Sequence, residues 1–122
     1  MNKMLEILAE RDPRYHPEAY RLVLQAMDRL REKWAKEGRR DFRAWEVMDA
    51  FREVALDQFG PMALMVLEEW GVRSSRDIGQ LVFNLVEVGL LGKSLEDRIE
   101  DFNEGFDFEE AFRKPFLAEN EE

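Results

Sequence analysis

GPMALMVLEEWGVRSSRDIGQLVFNLVEVGLL, residues 60–91, decides how this chain folds. Pro61 suits the first turn of a helix, where the missing N–H has no partner to lose. From Met62 to Leu67 the run is apolar on every side, which predicts a buried helix. Gly71 stops it, Val72 can turn inward, and Ser74 or Ser75 can cap a new helix with Asp77 favourably placed in its first turn. That helix carries Ile78, Leu81, Val82, Phe83, Leu85, Val86 and Val88 before Gly89, an unusually wide apolar face.

The flanks extend the helical pattern. Asn2 to Arg11 places Met4, Leu5, Ile7 and Leu8 on one side and ends before Asp12-Pro13. From Pro17 to Gly38, Tyr20, Val23, Leu24, Met27, Leu30 and Trp34 recur at spacings of three and four, with Arg29, Arg31, Glu32 and Lys33 outside. GRRDF reads as a loop or a short extended piece. From Ala44, the residues Val47, Met48, Phe51, Val54, Ala55 and Phe59 give another long helix, closed by Gly60-Pro61.

Beyond Gly89, the pair Leu90-Leu91, the turn Gly92-Lys93 and the alternation Arg98 to Phe102 fit a small hairpin, while Ser94 with Asp97 fits the start of one helical turn instead. Phe108, Phe112 and Phe116, broken by Pro115, predict a short helix folded back over the core. The expected architecture is a single all-α or α-rich domain over residues 1–116, with four to five helices, a helix-turn-helix-like centre and room for a small β-wing. Residues 117–122 read as a frayed acidic tail.

The buried small residue Ala63, the Gly71-Val72 turn, the Ser-led helix and the closing Gly-Leu-Leu are similar to a winged helix-turn-helix, with Ser75 to Val88 in the recognition position and residues 90–102 as the wing. DNA contact would then use Arg39, Arg40, Arg43, Arg73, Arg76, Gln80 and Lys93. Charge speaks against it. Of the solvent-facing candidates Arg76, Asp77, Gln80, Asn84 and Glu87, one is basic. The 122-residue chain has a net charge of −9, and from Ser94 onward eleven acids face three bases, a balance of −8 that leaves −1 for the first 93 residues. Such a field repels phosphate and anionic membranes.

With no cysteine, disulfides, thiolate nucleophiles and cysteine-held metals are excluded. MNKMLEILAERDP is charged too early and too often for a signal peptide, and no apolar run reaches spanning length, so a cytoplasmic protein is expected. His16, the one histidine, suits a cap before Pro17 better than a ligand or a triad. GPMALMVL lacks the Lys-Ser/Thr ending of a phosphate loop, and the adjacent Glu68 and Glu69 point apart on a helix. No catalytic residue and no cofactor follow from these patterns.

EDFNEGFDFEEAF, residues 100–112, sets Phe102, Phe106, Phe108 and Phe112 among acids with no base. Asp101, Asn103, Gly105 and Asp107 begin like a calcium loop, but the twelfth position is Phe112 where a bidentate Glu is needed. An EF-hand is excluded, and weak divalent-cation binding over 101–107 stays open. Mimicry of nucleic acid conflicts with so much aromatic surface. The expectation is a latch whose phenylalanines grip the core and whose outer side is acidic.

The strings YHPEAY, QFGPMAL, EEWG, VFNLVEVGLLGK and EDFNEGFDFEEAF together resemble an uncharacterised family of short bacterial proteins across about residues 14 to 112. The resemblance implies no activity and carries over no catalytic residue. It treats residues 100–112 as part of the domain. The resulting expectation is a non-enzymatic binding or regulatory module that meets a protein partner through Glu100, Asp101, Glu104, Phe106, Asp107, Glu109 and Glu110. The alternatives are a winged-helix DNA-binding regulator and a small enzyme of unrecognised type, and a homo-oligomer stays open.

Overall fold

A computed structural model describes residues 2–38, 43–92, 99–103 and 105–116. The helices are α1 (Asn2–Arg11), α2 (Pro17–Glu37), α3 (Ala44–Phe59), α4 (Ala63–Glu69), α5 (Ser75–Glu87) and the single-turn α6 (Phe108–Phe112). Short 3-10 turns occupy Gly60–Met62, Ile99–Phe102 and Lys114–Phe116, and no strand occurs among the described residues. No described helix is long and apolar enough to cross a membrane.

The longest helix shows how local chemistry sets the ends. His16 is the N-cap of α2, its Nδ1 accepting the Glu18 N–H at 3.0 Å, and Pro17 follows in the first turn. Gly38 adopts φ 72° at the other end and donates its N–H to the Trp34 carbonyl. Tyr20, Val23, Met27, Leu30 and Trp34 are buried, as the periodicity predicts. α2 packs along α3, where Val47, Met48, Phe51, Val54 and Ala55 face it from the core. Arg29 bridges outward to Asp57 at 2.9 Å and Glu53 at 3.6 Å, exposed pairs worth a few tenths of a kcal/mol, about 0.5 at most.

α3 starts with the Glu46 carboxylate accepting the Arg43 N–H at 3.2 Å, a capping-box contact from an otherwise buried side chain. α5 lies against both α2 and α3, burying Ile78, Leu81, Val82 and Leu85. Gly79 is a point of close approach for the C-terminal chain. A Cβ there would stand 2.6 Å from the Phe102 ring. Buried residues of all six helices join in one core cluster.

Three expectations change. The run Met62–Leu67 is not buried all round, since α4 has seven residues and lies at the edge of the core. Ala63 and Leu67 turn fully inward, whereas Met62 is 50% exposed and Met65 52%. Second, Ile7 points to solvent at 41% exposure, because α1 reaches the core through Leu5 and Leu8. Third, the alternation ending in Phe102 is not a strand: Ile99–Phe102 is a 3-10 turn that drives the Phe102 ring into the core. The remaining wing residues, 93–98, and residues 39–42 of GRRDF lie outside the described residues, as do 117–122.

Candidate functional site

The C-terminal segment is fastened from α5. Ser75, buried at the first turn of α5, donates its hydroxyl to the Phe102 carbonyl at 2.5 Å and accepts the Gly105 N–H at 3.2 Å. The approach is so close that a Cβ on Gly105 would meet Ser75 Cβ at 2.4 Å and Met48 Sδ at 2.5 Å. Asn103 is held from outside by Arg76, whose Nη1 donates to its Oδ1 at 2.8 Å. Asp107 then caps α6 by accepting the Glu109 N–H at 2.8 Å.

Aromatic contacts complete the latch. Phe102 meets Phe83 edge to face at 6.3 Å, and Phe106, Phe108 and Phe112 form a cluster with centroids 5.0 to 5.8 Å apart. Phe102, Phe108 and Phe112 are buried, and Phe106 is half-buried within this cluster. Glu100, Asp101, Asp107, Glu109 and Glu110 are left exposed on the outer side. Glu109 pairs with Arg113 at 3.4 Å and Glu110 with Lys114 at 3.5 Å, both exposed and solvent-screened. Glu104 lies outside the described residues.

Asn103 Oδ1 and Asp107 Oδ1 therefore already accept protein donors, which leaves fewer oxygens of the calcium-like string for a cation. Among the described residues no group of three His, Asp or Glu side chains converges as a metal site.

Of the residues proposed for DNA, several that the structure describes are committed within the fold. Arg73 Nη2 donates to the Glu68 carbonyl at 3.3 Å, Arg76 holds Asn103, and Gln80 Nε2 donates to Asn84 Oδ1 at 3.0 Å. Arg43 stands at the start of α3. Arg39, Arg40 and Lys93 lie outside the described residues. Asp77, Gln80 and Asn84 are half-buried, not solvent-facing, because the α1–α2 elbow packs over that side of α5.

That elbow is a polar clasp that the sequence did not announce. Arg14 grips Asp12 through Nε and Nη2, each at 2.8 Å. Asn84 reaches back from α5 to donate to Asp12 Oδ2 at 2.8 Å and to the Tyr20 hydroxyl at 3.0 Å. Tyr15 donates its hydroxyl to Asp77 at 2.5 Å, and Asp77 also accepts the Arg73 N–H at 2.9 Å. The Arg14 hydrogen bonds hold Asp12 below the usual carboxylate range, with Asn84 assisting against the effect of burial. Burial, then the Asp77 carboxylate, pushes Tyr15 up, and burial raises Tyr20.

A cleft of about 270 Å³ beside the clasp is lined by Leu8, Arg11, Asp12, Arg14, Asn84 and Glu87. Within the clasp Arg14, Asn84 and the Tyr15 hydroxyl each donate to a carboxylate of Asp12 or Asp77. Its signal in sequence was confined to the polar Asn84 within an apolar helix and to Asp12 two residues before Arg14.

Comparison of the chain with protein-family models, curated proteins and solved structures finds no match.

Proposed function

We propose that the protein is a non-enzymatic binding module that takes a basic segment of a partner protein on its acidic C-terminal face. One observation supports this most: the latch turns Phe102, Phe108 and Phe112 inward while Glu100, Asp101, Asp107, Glu109 and Glu110 remain exposed, with no basic residue from Ile99 to Phe112. Ser75 and the rings fix the backbone that carries these carboxylates, so a partner would meet charges held in place instead of a floppy tail. Phe102, Phe108 and Phe112 belong to the core, and Phe106 is half-buried beside the exposed carboxylates.

The test is fluorescence anisotropy of a labelled oligolysine peptide against the wild type and the triple variant Glu100→Lys, Asp101→Lys, Glu110→Lys. Binding that weakens with added salt, and falls by about tenfold or more in the triple variant, is expected. Equal binding by the two proteins overturns the acidic face. A labelled DNA duplex measured at low salt should bind neither protein. Tight, salt-sensitive duplex binding would favour the winged-helix reading instead.

A further inference from the structure

Met62 is 50% and Met65 52% exposed, so each forgoes about half of the roughly 1.5–3 kcal/mol that burying a methionine is worth. At 100° per residue Met65 lies opposite the inward line from Ala63 to Leu67, and Met62 precedes it by three positions on the outer side. Exposed Glu68 and Glu69 follow one turn later. α6, which carries the exposed Glu109 and Glu110, packs against α4. From Gly60 to Val72, as from Ile99 to Phe112, the sequence holds no basic residue.

We propose, resting on the acidic-face reading above, that Met62 and Met65 are the apolar anchor of that face and that its partner is an amphipathic helix carrying large apolar residues flanked by Lys or Arg. The pattern is complementary at each point. Unbranched thioethers adapt their shape to an incoming apolar side chain. The surrounding carboxylates select for a cationic flank and against nucleic acid or an anionic membrane. A short helix edge with two apolar side chains one turn apart matches the spacing at which a helix presents its own anchors.

The experiment uses a labelled synthetic peptide of about 14 residues, long enough to form helix on binding, with two leucines one turn apart among lysines and arginines. A control peptide has serine in place of both leucines. The wild type should bind the leucine peptide about tenfold more tightly than the control, and Met62→Ser with Met65→Ser should remove that difference while leaving the melting temperature unchanged. In methyl NMR the peptide should shift Met62 and Met65, with buried Met27 and Met48 as internal references.

If both peptides bind equally and the methionine variant matches the wild type, the apolar anchor is wrong and the acidic face survives. If neither peptide binds, both readings fail. Concentration-dependent sedimentation that the methionine variant abolishes would assign the ridge to a second copy of this chain and overturn the helix partner.

Discussion

The two ends of the chain both close onto α5, and they do so by opposite chemistry. The N-terminal elbow is held by directional polar bonds: Arg14 to Asp12, Asn84 to Asp12 and Tyr20, Tyr15 to Asp77. The C-terminal latch is held by rings, with Phe102 and Phe112 fully buried and one buried hydroxyl, Ser75, fixing the path of the backbone. Polar closure depends on pH and on every partner being present, whereas apolar closure depends on volume. As a result Glu100, Asp101, Asp107, Glu109 and Glu110 of the latch stay exposed, while the elbow engages Asp12 and Asp77 in its own bonds.

Volume should therefore dominate at the latch. Phe102→Ala is expected to cost about 3–5 kcal/mol, read from urea unfolding, because it empties the space that Gly79 leaves for the ring. A cost near 1 kcal/mol would show that the latch is peripheral to the core. At the elbow the largest effect comes from Gly71, which has φ 89° and approaches the Arg14 carbonyl so closely that a Cβ would lie 1.9 Å from the oxygen. Gly71→Ala combines left-handed strain with overpacking, and a loss of about 2–4 kcal/mol is expected in the same assay.

Tyr15→Phe sharpens the contrast in pH. It should cost about 1–2 kcal/mol at neutral pH by leaving Asp77 without its phenol donor. Both tyrosines of the chain lie in the elbow and both are raised in the folded state, so their contribution is complete below the unfolded value of about 10 and is lost as pH rises through the folded values. Phenolate absorbance should thus appear together with alkaline loosening of the elbow. Asp12, being lowered, works the other way: its contribution is present above about pH 4 and is lost as pH falls through the folded value. Titration of the phenols at their ordinary pH would contradict the clasp. The smallest effect is expected for Glu109→Gln with Glu110→Gln, within about 0.5 kcal/mol in stability, since both pairs are exposed.

The helices were legible because burial repeats at three and four and because glycine and proline mark the ends. His16 before Pro17 and Gly38 after Glu37 bound α2 as expected. α4 was misread for a reason of length: apolar residues on every side imply burial for a helix surrounded by others, but a seven-residue helix at an edge has few inward positions to fill. The alternation at Arg98 to Phe102 misled because five residues are too few to separate a strand from a 3-10 turn. Of the candidate site, the inward phenylalanines were legible from their cost in water. Phe102, Phe108 and Phe112 grip the core as the sequence led one to expect, and Phe106, the one ring counted among the contact residues, is half-buried beside them. The elbow left almost no trace, because its polar residues join positions 62 to 72 residues apart and follow no period.

The span of the Tyr15–Asp77 bond also orders assembly. It closes a loop of 62 residues, against 27 for Ser75 to the Phe102 carbonyl, an entropic difference of about 0.7 kcal/mol in favour of the shorter closure. During synthesis Asp12, Tyr15 and Tyr20 emerge well before their partners on α5, which do not exist until more than sixty further residues have been added. The elbow therefore cannot be fastened until α2, α3 and α4 have all been made.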